Sequence, residues 1–260
     1  MTEKQDPNFQ TPMLDRAFDI IELLSKNSNG LGISEIMRIL DIPKNSVFRI
    51  TGALYQRGYL IRDEKTKFFS LSRKLVDVGF SALGKQDLLE ESLDVMREIQ
   101  SITKETTLLG IVAGKEGIIM NQIPSSHQIK LTVDVGMCFS LYCSAPGKAY
   151  LAFLPENESN ELINKLEIKK HTSRTITSKV KLLEELKNIR KQGYSTDLAE
   201  EFEGVHCIGA PILNQDGYPI AVVWITGPSY RFPEQNFNSI GELVKEKVEM
   251  ISKKFGFKQL

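Results

Sequence analysis

Apolar residues recur along the first quarter of the chain at helical spacing. From Met13 onward, Leu14, Ala17, Phe18, Ile21 and Leu24 fall on one face, and Asn27-Ser28-Asn29-Gly30 ends the pattern. A shorter helix follows with Ser34 as its N-cap, carrying Ile36, Ile39 and Leu40 inward. Asp41-Ile42-Pro43 breaks it, and Pro43 suits the first turn of a third helix that buries Val47, Ile50 and Leu54. That helix is expected to stop at Arg57-Gly58, with glycine just past its end. Residues 59–62 and 67–71 read as short strands around the polar turn Asp63-Glu64-Lys65-Thr66. Helix, helix, short turn, helix and hairpin is the order of a winged helix-turn-helix.

The texture then changes. Residues 72–84 read as a mostly helical connector, followed by an amphipathic helix with Leu89, Leu93, Met96 and Ile99 in phase. Strands are expected at 108–112, 117–123, 129–133, 205–213 and 220–226, and helices at 148–154, 158–166, 179–192 and 234–255. Asn214-Gln215-Asp216-Gly217 has the composition of a hairpin turn. Hairpin-linked strands with helices at their sides predict an α+β domain on a mainly antiparallel sheet. The resulting division is a disordered arm at 1–12, a winged helix-turn-helix domain at 13–71, a linker helix at 72–90 and a second domain at 91–260. The helix at 14–24 and the connector at 75–83 carry more apolar residues than a small domain buries, so at least a homodimer is expected.

Composition narrows the classes. The 260 residues are 41% hydrophobic and 25% charged, which excludes wholesale disorder. Lys plus Arg and Asp plus Glu tie at 33 each, so the chain is no polycation. Its charge is unevenly spread, however. Between Ser34 and Lys74 nine basic residues face four acids, a local +5. On the third helix Asn45, Phe48, Arg49 and Gly52 form the stripe opposite the apolar one. Charge alone fits a solvated helix face equally well. Element order and wing together point to double-stranded DNA, with Ser34, Lys44, Asn45, Ser46, Phe48, Arg49, Lys65 and Lys67 as the contact set. The amino-terminal residues lack an apolar signal core, and the longest uncharged apolar stretch, 217–230, is too short and interrupted to span a bilayer, so a cytoplasmic protein without membrane contact is expected.

Candidate chemistry gathers late in the chain, in Asp197, Glu200, Glu201, Glu203, His206 and Cys207, with Cys143 and Lys148 upstream. A cysteine hydrolase would need Cys207 paired with His206, but adjacent strand residues point to opposite faces. Glu201, His206 and Cys207 match no standard zinc spacing, and the three cysteines contain no CxxC pair. Pro146-Gly147-Lys148 is no phosphate loop, because Tyr142 replaces the leading glycine and Ala149 the Ser/Thr that would hold magnesium. No catalytic residue, metal ligand or cofactor is therefore assigned.

Three stretches carry a family resemblance. LDRAFDIIELLS, followed by GISEIMRILDIPKNSVFRITGALYQRGYLIRDEKTKFFSLSRKLVDVG, resembles the N-terminal domain of the isocitrate lyase regulator (IclR) family of bacterial transcription factors. VGMCFSLYCSAPGKAYLAFLP and GYSTDLAEEFEGVHCIGAPILNQDGYPIAVVWITGPSYRF resemble blocks of that family's second domain. The resemblance runs from about Met13 to Leu260. It implies a winged helix-turn-helix joined to a ligand-sensing, GAF-like domain, working as a dimer or dimer of dimers on a palindromic operator. It places Asp197 and Cys207 in an effector pocket, and the Ala145–Pro146 turn against a ligand carboxylate. Leu131, Phe139 and Val205 align with walls, and Trp224 and Thr226 with hydroxyl residues at the back. Pro146 departs from the pattern by lacking an N–H, and Trp224 by its bulk. The expected function is a regulator of a metabolic operon responsive to a small carboxylated metabolite. The alternatives are an enzyme or metal-binding protein tethered to DNA, and an architectural module whose second domain only dimerises.

Overall fold

The computed structural model describes residues 11–27, 29–75, 78 and 88–258. The chain divides into two compact units, 1–85 and 86–260. No helix among the described residues is long and apolar enough to cross a membrane.

In the first unit α1 (Pro12–Ser25), α2 (Ile33–Leu40) and α3 (Lys44–Gln56) precede the antiparallel pair β1 (Leu60–Arg62) and β2 (Phe69–Leu71). Ile20, Leu24, Ile36, Ile42, Val47, Ile50, Leu60 and Phe69 form its core. The stripe on α1 is rotated by one residue from its expected position. Ile20 is fully buried, whereas Leu14 and Phe18 are about half exposed. On α2, Ile36 alone is fully buried and Ile39 is exposed. Ser34 is not the N-cap but lies inside α2. Gly32 holds the cap position, and its N–H donates to Glu35 Oε2 at 2.9 Å. Pro43 caps α3 rather than entering it, its carbonyl accepting from the Ser46 and Val47 amides. The other end of α3 closes as expected. Gly58 has φ +76°, and the Tyr59 amide reaches back to the Leu54 carbonyl at 2.9 Å. Most of the expected linker helix, and the arm before Thr11, lie outside the described residues.

The second unit is built on a six-stranded antiparallel sheet in the order β5-β4-β3-β8-β7-β6. Its strands are β3 (Thr106–Ala113), β4 (Glu116–Ile123), β5 (Cys138–Phe139), β6 (Ser195–Leu198), β7 (Val205–Leu213) and β8 (Pro219–Pro228). One face packs α4 (Leu88–Thr103) and α8 (Phe237–Lys254) through Met96, Ile99, Ile208, Ile225, Val244 and Val248. Against the other lie α5 (Ala145–Phe153), α6 (Glu156–Lys165) and α7 (Lys179–Gln192), with Leu141, Leu151, Ile163, Leu182 and Ile189 between them. Residues 129–133 do not form the expected strand. Thr106 Oγ1 donates to the Leu131 carbonyl at 2.6 Å, and the Gln122 side chain bonds the backbone of Val133 on both sides. Side chains thus replace a ladder there, and the pairing with β4 is made by Cys138 and Phe139 instead. The edge strand β6 was missed because Ser195-Thr196-Asp197 lacks apolar alternation. Helix α5 starts three residues before the expected 148, since Ser144 caps it by accepting the Gly147 amide at 3.1 Å.

Candidate functional site

In the first unit α3 turns Lys44, Asn45, Phe48 and Arg49 to solvent, Phe48 at 65% exposure despite its size. Ser46 is half-buried, and Ser34 lies exposed on α2. The wing is shaped by Asp63, whose Oδ1 accepts from the amides of Lys65 (3.0 Å) and Thr66 (2.6 Å) and from Thr66 Oγ1 (2.8 Å). Those bonds, chiefly to Thr66, hold its carboxyl below the usual carboxylate range. Lys67 follows at φ +63°, and it and Lys65 project into solvent. At the base of the hairpin, Lys74 Nζ donates to the Arg57 carbonyl at 2.7 Å and lies 4.8 Å from the centre of the Tyr59 ring. The end of α3 and the turn of the wing are thus each shaped by local bonds, with Lys44, Arg49, Lys65 and Lys67 outward.

In the second unit strand register assembles the candidate ligand site. Asp197 pairs with Cys207, Cys207 with Thr226, and Thr226 with Thr106, giving one row of polar side chains across β6, β7, β8 and β3. The parallel row two residues away is Ser195, Gly209, Trp224 and Leu108. Residues two apart share a face, so both rows face α5. Gly209 lets the helix start settle on the sheet: a Cβ there would lie 3.4 Å from Pro146 N and 3.1 Å from the Trp224 Cβ. Ser195 Oγ fastens the same point by donating to the Ala145 carbonyl. Phe139 stacks obliquely on Trp224, ring centres 5.1 Å apart. Phe139, Ala145, Pro146, Asp197, Cys207, Trp224 and Thr226 are all buried on this side, whereas Val205 and Leu131 are half-buried. Val205 packs into the same apolar cluster. Leu131 joins through its carbonyl on Thr106, not through its side chain.

The polar chemistry is concentrated around Asp197. Its Oδ1 accepts the Glu200 amide at 2.6 Å. Burial drives its pKa up to about 7, against the opposing pull of that amide and of Lys148. Lys148 is fully buried, paired with Glu200 and 3.7 Å from Glu185, while Glu200 Oε2 has no partner. Glu201 accepts the Ser140 amide at 3.1 Å, and burial raises its pKa too. This carboxylate cluster with one central lysine was only partly anticipated. The Lys148–Glu200 pair spans 52 positions, and no local pattern signals it.

The thiols are not set up as nucleophiles. Burial pushes Cys143 up to about 12 and Cys207 well above its ordinary value, and Cys207 Sγ donates to Thr226 Oγ1 at 3.3 Å. His206 points to the opposite face, bonded to the Phe232 carbonyl at 2.9 Å and edge-on to Phe237. Among the described residues no group of three or more His, Cys, Asp or Glu could hold a metal ion.

Comparison with known proteins places these features. The profile of the IclR helix-turn-helix domain matches residues 13–64, and that of the bacterial transcriptional regulator IclR C-terminal domain matches residues 80–253. The HTH-type transcriptional regulator KdgR of Escherichia coli is 30% identical over 242 residues, 93% of this chain and 92% of its own. The HTH-type transcriptional repressor AllR of the same species is 28% identical over 245 residues, 94% and 90% of the two chains. The crystal structure of Thermotoga maritima IclR superposes with a TM-score of 0.70 at 33% identity, covering 94% of this chain and 98% of that one. KdgR and AllR are by name helix-turn-helix transcriptional regulators, AllR a repressor. With both of its units matched in order, the chain belongs to the IclR family of bacterial transcriptional regulators.

Proposed function

We propose that this regulator reads a palindromic operator with α3 and the Lys65–Lys67 wing, as a homodimer or dimer of dimers, and releases or rearranges on it when a small carboxylated metabolite binds the second unit. The working division is a reading domain at 13–71, a linker at 72–90 that carries the signal, and a sensing domain at 91–260. Repression of a metabolic operon is the favoured mode, in line with the repressor AllR.

The observation that carries the sensing part is the buried row Asp197–Cys207–Thr226–Thr106 at the start of α5. A pKa of about 7 leaves much of Asp197 protonated near neutrality. Its free oxygen can then donate to a ligand carboxylate, where an ionised aspartate would repel it. Pro146 has no N–H, and the Gly147 amide already serves Ser144 Oγ. That leaves the Ala145 amide as the turn's donor to an anion, and Asp197 and Thr226 carry more of that task. Trp224 and Phe139 supply the apolar wall.

Coupling requires the metabolite to bind the DNA-competent and incompetent arrangements with different affinity. The test starts with in vitro selection of the operator, followed by titration of small carboxylates and sugar acids into the complex while Trp224 fluorescence is read. Asp197→Ala should bind operator normally and lose the effector response. A variant that keeps the midpoint and amplitude of the wild type removes Asp197 from the site.

A further inference from the structure

The face of α3 that carries Asn45, Phe48 and Arg49 has a glycine at its centre. At about 100° per residue, Asn45, Gly52 and Gln56 fall within roughly 40° of one another, opposite Val47, Ile50 and Leu54, with Phe48 and Arg49 on the two flanks. Gly52 lies in the middle of a 13-residue helix, four positions from its last residue. Glycine is among the least favourable residues there, because it loses the most backbone freedom on folding.

Nothing among the described residues requires it. A Cβ built on Gly52 meets no heavy atom within 4 Å. This sets it apart from Gly147, where a Cβ would lie 2.2 Å from the Ser140 carbonyl, and Gly241, where it would lie 2.2 Å from the Tyr194 ring. Its backbone is ordinary right-handed helix, with no positive φ to explain the residue. The side chains around it are polar, cationic or aromatic and stand in solvent: Asn45, Arg49 and Gln56, with Phe48 at 65% exposure. The missing Cβ therefore leaves a shallow notch, walled by Phe48 and Arg49, on the face best suited to DNA.

We propose that Gly52 is where the backbone of α3 comes directly against the DNA, so that the helix seats deeper in the major groove than any larger residue would permit. Phe48 and Arg49 are then brought down on either side of the contact, the ring to a thymine methyl and the guanidinium to a base edge or phosphate. This inference rests on α3 being the reading helix, and it adds a residue whose role lies in what it lacks.

The test uses the full chain and the duplex recovered by selection with the wild-type protein. Gly52→Ala should move two measurements in opposite directions. Hydrogen exchange of the α3 amides in free protein should slow about two- to fivefold, as alanine favours the helix. Affinity for the selected duplex should fall at least tenfold, and Gly52→Leu should fall further. A Gly52→Ala protein with slowed exchange that binds the duplex as tightly as wild type, or tighter, overturns the close approach. Lys44→Ala, Arg49→Ala tested alongside separates the two layers. If that double variant binds normally, the reading-helix assignment fails beneath the proposal. If it binds weakly while Gly52→Ala does not, only the contact at Gly52 fails.

Discussion

Replacing Asp197 by asparagine should stabilise the second unit, and increasingly so as pH rises. Asparagine keeps an oxygen for the Glu200 amide, now bonded at 2.6 Å, but cannot ionise. Asp197 is 2% exposed, and burial raises its pKa from the ordinary 3.8 to about 7. A carboxyl whose folded pKa lies above its unfolded one binds its proton more tightly when folded. The stabilisation from that proton is complete below about pH 4 and is lost as pH rises through about 7. The span from 3.8 to about 7 corresponds to roughly 4 kcal/mol at ~1.4 kcal/mol per pH decade. About 1.5 kcal/mol of this has already gone at pH 5, so the advantage of Asp197→Asn over wild type should widen by about 2–3 kcal/mol between pH 5 and pH 8. Guanidinium unfolding followed by tryptophan emission measures it directly, because Trp224 is the sole tryptophan and reports this unit. Titrations of groups that do not interact with Asp197 are common to both proteins and cancel in the difference. A stability gap that stays constant from pH 5 to pH 8 refutes the claim that Asp197 titrates near neutrality in the folded protein.

Lys148→Met removes the only cation that pairs with Glu200 among the described residues, and Glu200 is buried with one oxygen lacking a hydrogen bond. Unfolding should be easier by about 3–5 kcal/mol at pH 7, with part of the loss recovered in Lys148→Met, Glu200→Gln, as measured by the same denaturation. Lys67→Ala should weaken binding to all duplexes alike and lower the slope of log affinity against log salt by about 0.9, read by fluorescence anisotropy at several salt concentrations. An unchanged slope removes Lys67 from the phosphate contacts.

Local signals were legible and long-range closure was not. The helix Lys179–Gln192 and the strand Val205–Leu213 appear at the expected residues, since each has clear periodicity and a clear stop. The wing followed from its turn residues, and Gly58 ended α3 for the reason its sequence gives. Leu14, Phe18 and Ile39 were misplaced because a helical stripe is wide, and its centre is chosen by the tertiary partner rather than by the period. The apolar alternation at 129–133 was real, yet Thr106 and Gln122 supplied that backbone with side-chain partners no strand pattern reveals. For the candidate site, the residue set came from resemblance. The register that joins Asp197, Cys207 and Thr226 to Thr106, and the buried Lys148–Glu200 pair, required the fold.

The polar row has a consequence for when the second unit is completed. Thr106 and Thr226 are direct partners across β3 and β8, although they stand 120 positions apart in the chain (106 to 226). The hairpins β3–β4 and β7–β8 can each zip from a local turn, but joining them requires the 81 residues between Ile123 and Val205 (124 to 204) to close as a loop. During synthesis the row stays open until β8 has been made, long after every residue of α3 and the wing has emerged. Completion of the row is therefore a late event in the life of each copy, and it waits on the meeting of two central strands.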